Sequence, residues 1–277
     1  MINNKRRIKR IISSFILMIV SLGMLFPFYW MVKTAFTSNN GALQIPPKLI
    51  VWPLDWENFI DVIHTPYFMK SILNSLIIAL ISTAGVLLTS SMAAFAFAKL
   101  RFKRSGLWFA LIYGTMLIPS QVLLIPMFVI FSRLHLVDTY VPLILPQVMI
   151  NGYGVFLLRQ FMVSIPDSYI EAAKIDGYSI FGIFWKIVLP LSKSSLITLG
   201  IFTFVGNWNN FLGALIYLNS EELFTLPLMI NAFRTQYYVQ WGTLMAASTI
   251  SLIPMFSLYL FAQKQFMEGI AMSGLKG

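Results

Sequence analysis

Cysteine is absent from this chain of 277 residues, which excludes disulfides, thiolate metal sites and a thiol nucleophile. Histidine occurs twice, at His64 and His135, far apart and in loop-like stretches, so no histidine metal centre is expected. Charged residues make up only 11% of the chain, with ten acids against twenty bases. No glycine-rich loop leads into Lys-Ser or Lys-Thr, so the usual cradle for nucleotide phosphates is missing. Paired carboxylates and a Ser-His-Asp set are missing too. Glu221 and Glu222 are neighbours in a polar stretch and read as solvated. The sequence points away from catalysis, and no cofactor or metal is expected on the chain itself.

What the chain has is apolar length. Apolar residues account for 58% of it and the mean hydropathy is +0.77. A soluble domain of this size cannot bury that much, so the bilayer is the expected solvent. Apolar runs long enough to cross a membrane fall at about 11–33, 71–98, 107–131, 140–160, 194–218 and 243–262. The sequence therefore predicts an all-α polytopic membrane protein with six transmembrane helices over 11–262 and tails at 1–10 and 263–277. The first run is too long for a cleaved signal and lacks a small-residue cleavage site, so it reads as a retained span. Ser82, Ala84, Gly85, Ser90, Ser91, Ala93 and Ala94 favour close helix packing in the second run. Prolines 27, 119, 126, 142, 146 and 254 predict kinks within spans.

Orientation follows from the bases. Fifteen of the twenty Lys and Arg fall on one side: both tails and the second-to-third and fourth-to-fifth connections. A base at the bilayer centre costs about 2.5–3.5 kcal/mol, and cytoplasmic loops carry the excess. Both termini are therefore expected in the cytoplasm. Because the charge flanks spans rather than forming one face, nucleic acid is not an expected partner.

The largest charged island on that side runs over about 162–193. Ser164 is expected to cap a helix over about 165–176, with Pro166 in its first turn and Asp167 as the reciprocal acid. Gly177 suits a left-handed end. Ser179 suits a cap for a second short helix to Val188, stopped near Pro190. Small Ala172 and Ala173 would let another backbone approach, and Tyr169, Ile170, Ile175 and Phe181 would fill an apolar cleft in a partner. Glu171 would bond within the loop or reach a basic partner residue. From these residues alone, an amphipathic connector resting on lipid headgroups is the plainer reading.

The spacing is more specific. Glu171-Ala172-Ala173, three residues, Gly177, nine residues, Ile187, one residue and Leu189-Pro190 resembles the cytoplasmic coupling loop in membrane subunits of ATP-binding-cassette importers. The likeness covers nearly the whole chain. MLIPSQVLLIP (116–126), LVDTYVPLILP (136–146), FLLRQFMVSIPDSYIEAAKIDG (156–177), WNNFLGALIYL (208–218) and FTLPLMI (224–230) are similar to the carbohydrate-uptake branch. Within it, the chain resembles the shorter of two homologous permeases in maltose-type transporters.

The resemblance implies a homologous second permease, two ATPase subunits holding ATP and Mg, an extracellular solute-binding protein and a sugar, in a bacterial or archaeal cytoplasmic membrane. It implies ATPase coupling through Glu171, Ala172, Ala173, Asp176, Gly177, Ile187, Leu189 and Pro190, and an ATPase-contacting tail at Gly274, Lys276 and Gly277. Gln236, Tyr237 and Tyr238 would contact the binding protein, although an interfacial aromatic belt serves them equally. The first outward loop, with Pro46, Pro47, Trp52 and Pro53, would form another docking surface.

Gln121, Asn151, Tyr153, Asn207, Trp208, Asn209 and Asn210 are candidates for the substrate pathway. Amides both donate and accept towards hydroxyls, and rings cover the apolar face of a sugar. Helix–helix bonding is the alternative for each amide, as it is for Asn74 and Gln147. Ser194 stands where carbohydrate-type relatives usually carry proline, which implies a softer start to the fifth span. Import of a glycerophosphodiester, amino acid or peptide, or service as a membrane scaffold or sensor, are the other readings.

Overall fold

The computed structural model describes residues 2–42, 44–234 and 239–274. Helices dominate, and the described residues form no strand beyond an isolated bridge between Arg234 and Val239. In chain order they are α1 (Ile2–Ala35), α2 (Glu57–His64), α3 (Phe68–Lys99), α4 (Ser105–Gly114), α5 (Leu124–Arg133), α6 (Val141–Met149) and α7 (Gly152–Val163). There follow α8 (Asp167–Ile175), α9 (Ile180–Leu191, with a π turn at Phe184–Val188), α10 (Lys193–Trp208), α11 (Phe211–Tyr217), α12 (Leu226–Ala232) and α13 (Trp241–Gly274).

The helical class is as the sequence predicts. Four stretches are long and apolar enough to cross a membrane: Ile11–Ala35, Phe68–Lys99, Val141–Val163 and Trp241–Phe261. Two bent pairs raise the number to as many as six if each is one span. Several spans are less continuous than expected. The third turns through 90° between Leu117 and Ser120, so Pro119 marks a corner and not a kink. The fourth breaks at Ile150, and the fifth stops at Trp208 before α11 begins. A bend of 78° at Ser192 separates α9 from α10, a sharp corner even without proline at 194. Helix α1 also extends back through residues that read as a tail, and α13 extends forward to Gly274.

Two compact units divide the chain, Met1–Phe68 with Ile230–Ile253, and Met69–Met229 with Pro254–Gly277. In the first unit every residue of α1 from Ile11 to Tyr29 is exposed, which suits a helix whose apolar surface meets lipid or another chain. Asn58 closes the far end of α1 by donating to the carbonyls of Ala35 and Thr37 at 2.9 and 2.8 Å. This supplies partners to carbonyls that a helix end leaves unpaired.

In the second unit α3 is the central rod. Ser82, Ser90, Ser91 and Ala94 are buried along it, as their small size predicts, whereas Ala84 is exposed. Gly85 abuts Val148, whose Cγ2 would lie 2.6 Å from any added Cβ. A core at one end of the unit joins Val86, Phe95, Leu158, Met162, Ile170, Ala173, Phe184 and Val188. Near the other end a second core gathers Ile78, Phe131, Leu143, Ala214, Tyr217 and Leu228.

Candidate coupling site

Helix α8 starts two residues later than the capping pattern suggests. Ser164 does not cap it; its Oγ donates back to the Phe161 carbonyl at 2.7 Å. Pro166 occupies the cap position, extended at φ −58° and ψ 135°. Asp167 does not serve as the reciprocal acid either. Its carboxylate accepts from Lys99 Nζ at 2.7 Å, and Lys99 also donates to the Ile165 carbonyl. That hydrogen bond and the nearby ammonium charge hold the Asp167 carboxyl below its ordinary range.

The end of α8 is as expected. Gly177 has φ +80°, a conformation in which an L side chain is disfavoured. Tyr178 N–H donates to the Ala173 carbonyl at 3.0 Å and Gly177 N–H to the Lys174 carbonyl at 3.1 Å. These two bonds make a Schellman turn. Ser179 then caps α9, its Oγ accepting from Gly182 N–H at 3.1 Å. Lys186 Nζ lies 5.1 Å from the centre of the Tyr178 ring and ties α9 back to the turn. Helix α9 runs past Pro190, which sits in the first turn of its last segment, and ends at Leu191 with Ser192 as its C-cap.

The spaced residues divide between two faces. Ala173 is 3% exposed and Ile170 is also buried, both in this chain's own core. They are thus unavailable to a partner, contrary to the expectation for both. Ile187 and Leu189 are half-buried against the same core. Glu171, Ala172, Asp176, Gly177 and Pro190 are exposed. Around them Tyr169, Ile175, Ile180 and Phe181 are exposed as well, Ile175 at 87%. A concentration of bare apolar side chains on a charged connector is the signature of a contact surface.

The intramembrane amides are mostly engaged. Asn207 Nδ2 donates to Gln147 Oε1 at 3.1 Å, and Gln147 Nε2 donates to Asn207 Oδ1 at 2.7 Å. Gln147 also reaches Ser82 Oγ and the Leu143 carbonyl. Trp208 is buried, stacked on Phe204 at 6.1 Å. Asn151 caps α7 by accepting from Gly154 N–H, and Asn210 caps α11 by accepting from Gly213 N–H. Asn74 donates to the Glu222 and Phe224 carbonyls, both at 3.0 Å. Gln121, Tyr153 and Asn209 are exposed; Tyr153 meets Phe202 edge-on and Asn209 donates to the Val205 carbonyl.

Gly274 is the last residue of α13. Lys276, Gly277, Gln236, Tyr237 and Tyr238 lie outside the described residues. In the first unit Trp52 and Pro53 line a cavity of about 520 Å³ with Phe36, Gln44, Lys48 and Asp55. No group of three or more potential metal ligands occurs among the described residues.

Apolar helices of membrane-crossing length, joined by a folded charged connector with a bare contact surface, define a multi-pass membrane component of a larger assembly. Residues 85–270 match the family described as the binding-protein-dependent transport system inner membrane component, and the chain belongs to that family. The family is a transport component and not a catalytic one. The chain is 31% identical over 271 residues to the arabinooligosaccharides transport system permease protein AraQ of Bacillus subtilis (strain 168), covering 97% of this chain and 96% of AraQ. It is 33% identical over 279 residues to the sn-glycerol-3-phosphate transport system permease protein UgpE of Yersinia pestis, covering 98% of each. Its fold resembles that of a chain in a bacterial ABC transporter involved in import of the acidic polysaccharide alginate. The TM-score is 0.83 at 24% identity, over 93% of this chain and 96% of the other.

Proposed function

We propose that this chain is one permease of an ATP-driven importer of oligosaccharides. It spans the membrane six times, with both termini and the 162–193 connector in the cytoplasm. It works beside a homologous permease, two ATPase subunits that hold ATP and Mg, and an extracellular binding protein that delivers the sugar. The observation that carries this reading is the bare surface of Glu171, Ala172, Ile175 and Phe181, raised on helices packed into the chain's own core. Within this family membership, such a surface suits a groove of an ATPase. ATP and the loaded binding protein would then each favour one state of the pathway, and the population shift between states moves the sugar.

The sugar class is supported by the near full-length likeness to the arabinooligosaccharide permease. The pathway candidates still open to a ligand are Gln121, Tyr153 and Asn209, which carry amides and a ring and no cation. The likeness to the glycerol-3-phosphate permease favours a second reading, a phosphate-bearing solute; the absence of a base among those three residues fits it less well. Gly274, Lys276 and Gly277 are proposed to reach the ATPase, and Gln236, Tyr237 and Tyr238 to touch the binding protein.

The test is a mild-detergent purification of the tagged chain, followed by uptake in proteoliposomes. Stoichiometric recovery of a second permease and an ATPase, with uptake competed by oligosaccharides, supports the proposal. Competition by glycerol 3-phosphate alone would transfer the assignment to the second reading. Recovery of the chain alone, where a known importer stays intact, would overturn both.

A further inference from the structure

Lys99, the last residue of α3, has a side chain only 4% exposed although it is charged. A buried ammonium persists when its donors are used, and here they grip both sides of one joint. The Ile165 carbonyl lies just before Pro166, and the Asp167 carboxylate just after it. Pro166 is where the chain leaves α7 and enters α8. The grip is returned from the other side: Arg159 of α7 donates Nε–H to the Phe97 carbonyl at 3.3 Å, with its guanidinium 4.2 Å from the Phe109 ring. Phe95 of α3 meets Phe184 of α9 at 5.4 Å. The same end of α3 is thus fastened to α7, α8 and α9.

The opposite end is fastened as well. Lys70 pairs with Glu222 at 3.2 Å, Asn74 donates to the Glu222 and Phe224 carbonyls, and Ser75 Oγ accepts from Leu226 N–H at 2.7 Å. Between these ends lie 32 helical residues without a proline, a rod of about 48 Å at 1.5 Å per residue. It runs as one unbroken helix through Gly85.

We propose that α3 is the lever that carries motion between the 164–191 connector and the 219–226 loop, with Lys99 as the positioning residue that locks it to the connector. The inference rests on the importer reading above. When an ATPase moves α8 and α9, α3 moves with them, and the 219–226 loop follows at the far end. Without Lys99 the joint at Pro166 opens independently of α3, and ATP is consumed with little displacement of the rod. Asp167 contributes less than Lys99, because its side chain is 74% exposed and the Ile165 carbonyl still holds the ammonium when it is removed.

The absence of cysteine makes the test direct. Spin labels at Met92→Cys on α3 and Ser168→Cys on α8, both exposed and outside the proposed ATPase-docking residues, report the joint in the purified chain and in the assembled importer. With Lys99 present, the label separation is narrow and unchanged between resting and nucleotide-trapped states. In Lys99→Met it broadens, and transport per ATP falls about tenfold, within the roughly 5- to 150-fold range of such couplings. Lys99→Arg restores both readings, and Asp167→Asn, an exposed change that spares the fold, gives a smaller shift in the same direction. Unchanged separations in both Lys99→Met and Asp167→Asn overturn the proposal, whatever the uptake assay shows. So does broadening with undiminished transport per ATP. The label readings need no uptake, so a failure of the importer assignment itself is recognised separately.

Discussion

A single methyl group at Gly177 should separate backbone strain from steric fit in the connector. Gly177 stands at φ +80°, and a Cβ built there would have no atom within 4 Å apart from its chain neighbours. Gly177→Ala therefore meets open space, and its cost is the left-handed backbone alone, about 1–2 kcal/mol for an L residue. Each 1.4 kcal/mol is about tenfold in population, so the closed turn falls by roughly five- to thirtyfold relative to its open forms. Asparagine tolerates this region better than alanine and a β-branched residue tolerates it worse. The expected order of transport per ATP in proteoliposomes is Gly, then Asn, Ala and Val, with complex assembly retained. An order that followed side-chain volume, with Asn worse than Ala, would refute the backbone argument. Full activity of Gly177→Val would refute any role for the turn.

Four further outcomes are expected. Ala173→Leu should overpack the core at a cost of about 1–3 kcal/mol, seen as a lower melting temperature in detergent. Ala172→Leu, one residue away on the exposed side, should leave melting nearly unchanged and weaken ATPase co-purification. Replacing Gln147 or Asn207 by Leu should each cost about 0.6–2 kcal/mol, and the double variant less than the sum, since the same reciprocal bonds are lost; additive losses would refute the clasp. Asp138 is held below its ordinary value of 3.8 by the Ser220 hydroxyl and the Ser220 and Asn219 amides. A depressed carboxyl contributes stability that is complete above the unfolded value and lost as pH falls through the folded one. The melting difference between wild type and Asp138→Asn should thus hold steady down to about pH 5 and shrink below 3.8; growth on acidification would refute it.

The helical class was legible because the apolar runs leave few alternatives: in lipid, backbone groups must be satisfied within the segment or a closed barrel. The breaks were harder to see. Asn151 and Asn210 read as pathway amides, yet each is a helix cap in the pattern Asn-x-x-Gly, bonding Gly154 and Gly213. Glycine matters there because an added Cβ would lie 3.1 Å from Asn151 Oδ1 in one case and 2.8 Å from Asn210 Oδ1 in the other. Ser179-x-x-Gly182 has the same arrangement and is legible as a cap, since it falls outside the six candidate spans and no pathway reading competes for it. Ser164 and Asp167 misled for a different reason. Their local pattern is a good cap, but Lys99, 68 residues earlier, takes the carboxylate, and local spacing carries no sign of that.

The division of the connector also explains why such unlike residues share one spacing. Ala173, Ile187 and Leu189 are constrained by the chain's own core, Gly177 by its dihedral angle, and Glu171 and Ala172 by nothing within this chain that demands exposure. A connector that only rested on headgroups would need an apolar side facing lipid and a polar side facing water. Helix α8 instead buries Ile170 and Ala173 inward while leaving Tyr169 and Ile175 bare beside Glu171 and Ala172 on the outer side. An element packed tightly on one side and unfinished on the other can pass a push from a partner into the core without first deforming itself. The burial pattern thus meets the mechanical requirement of the coupling role proposed above for this connector.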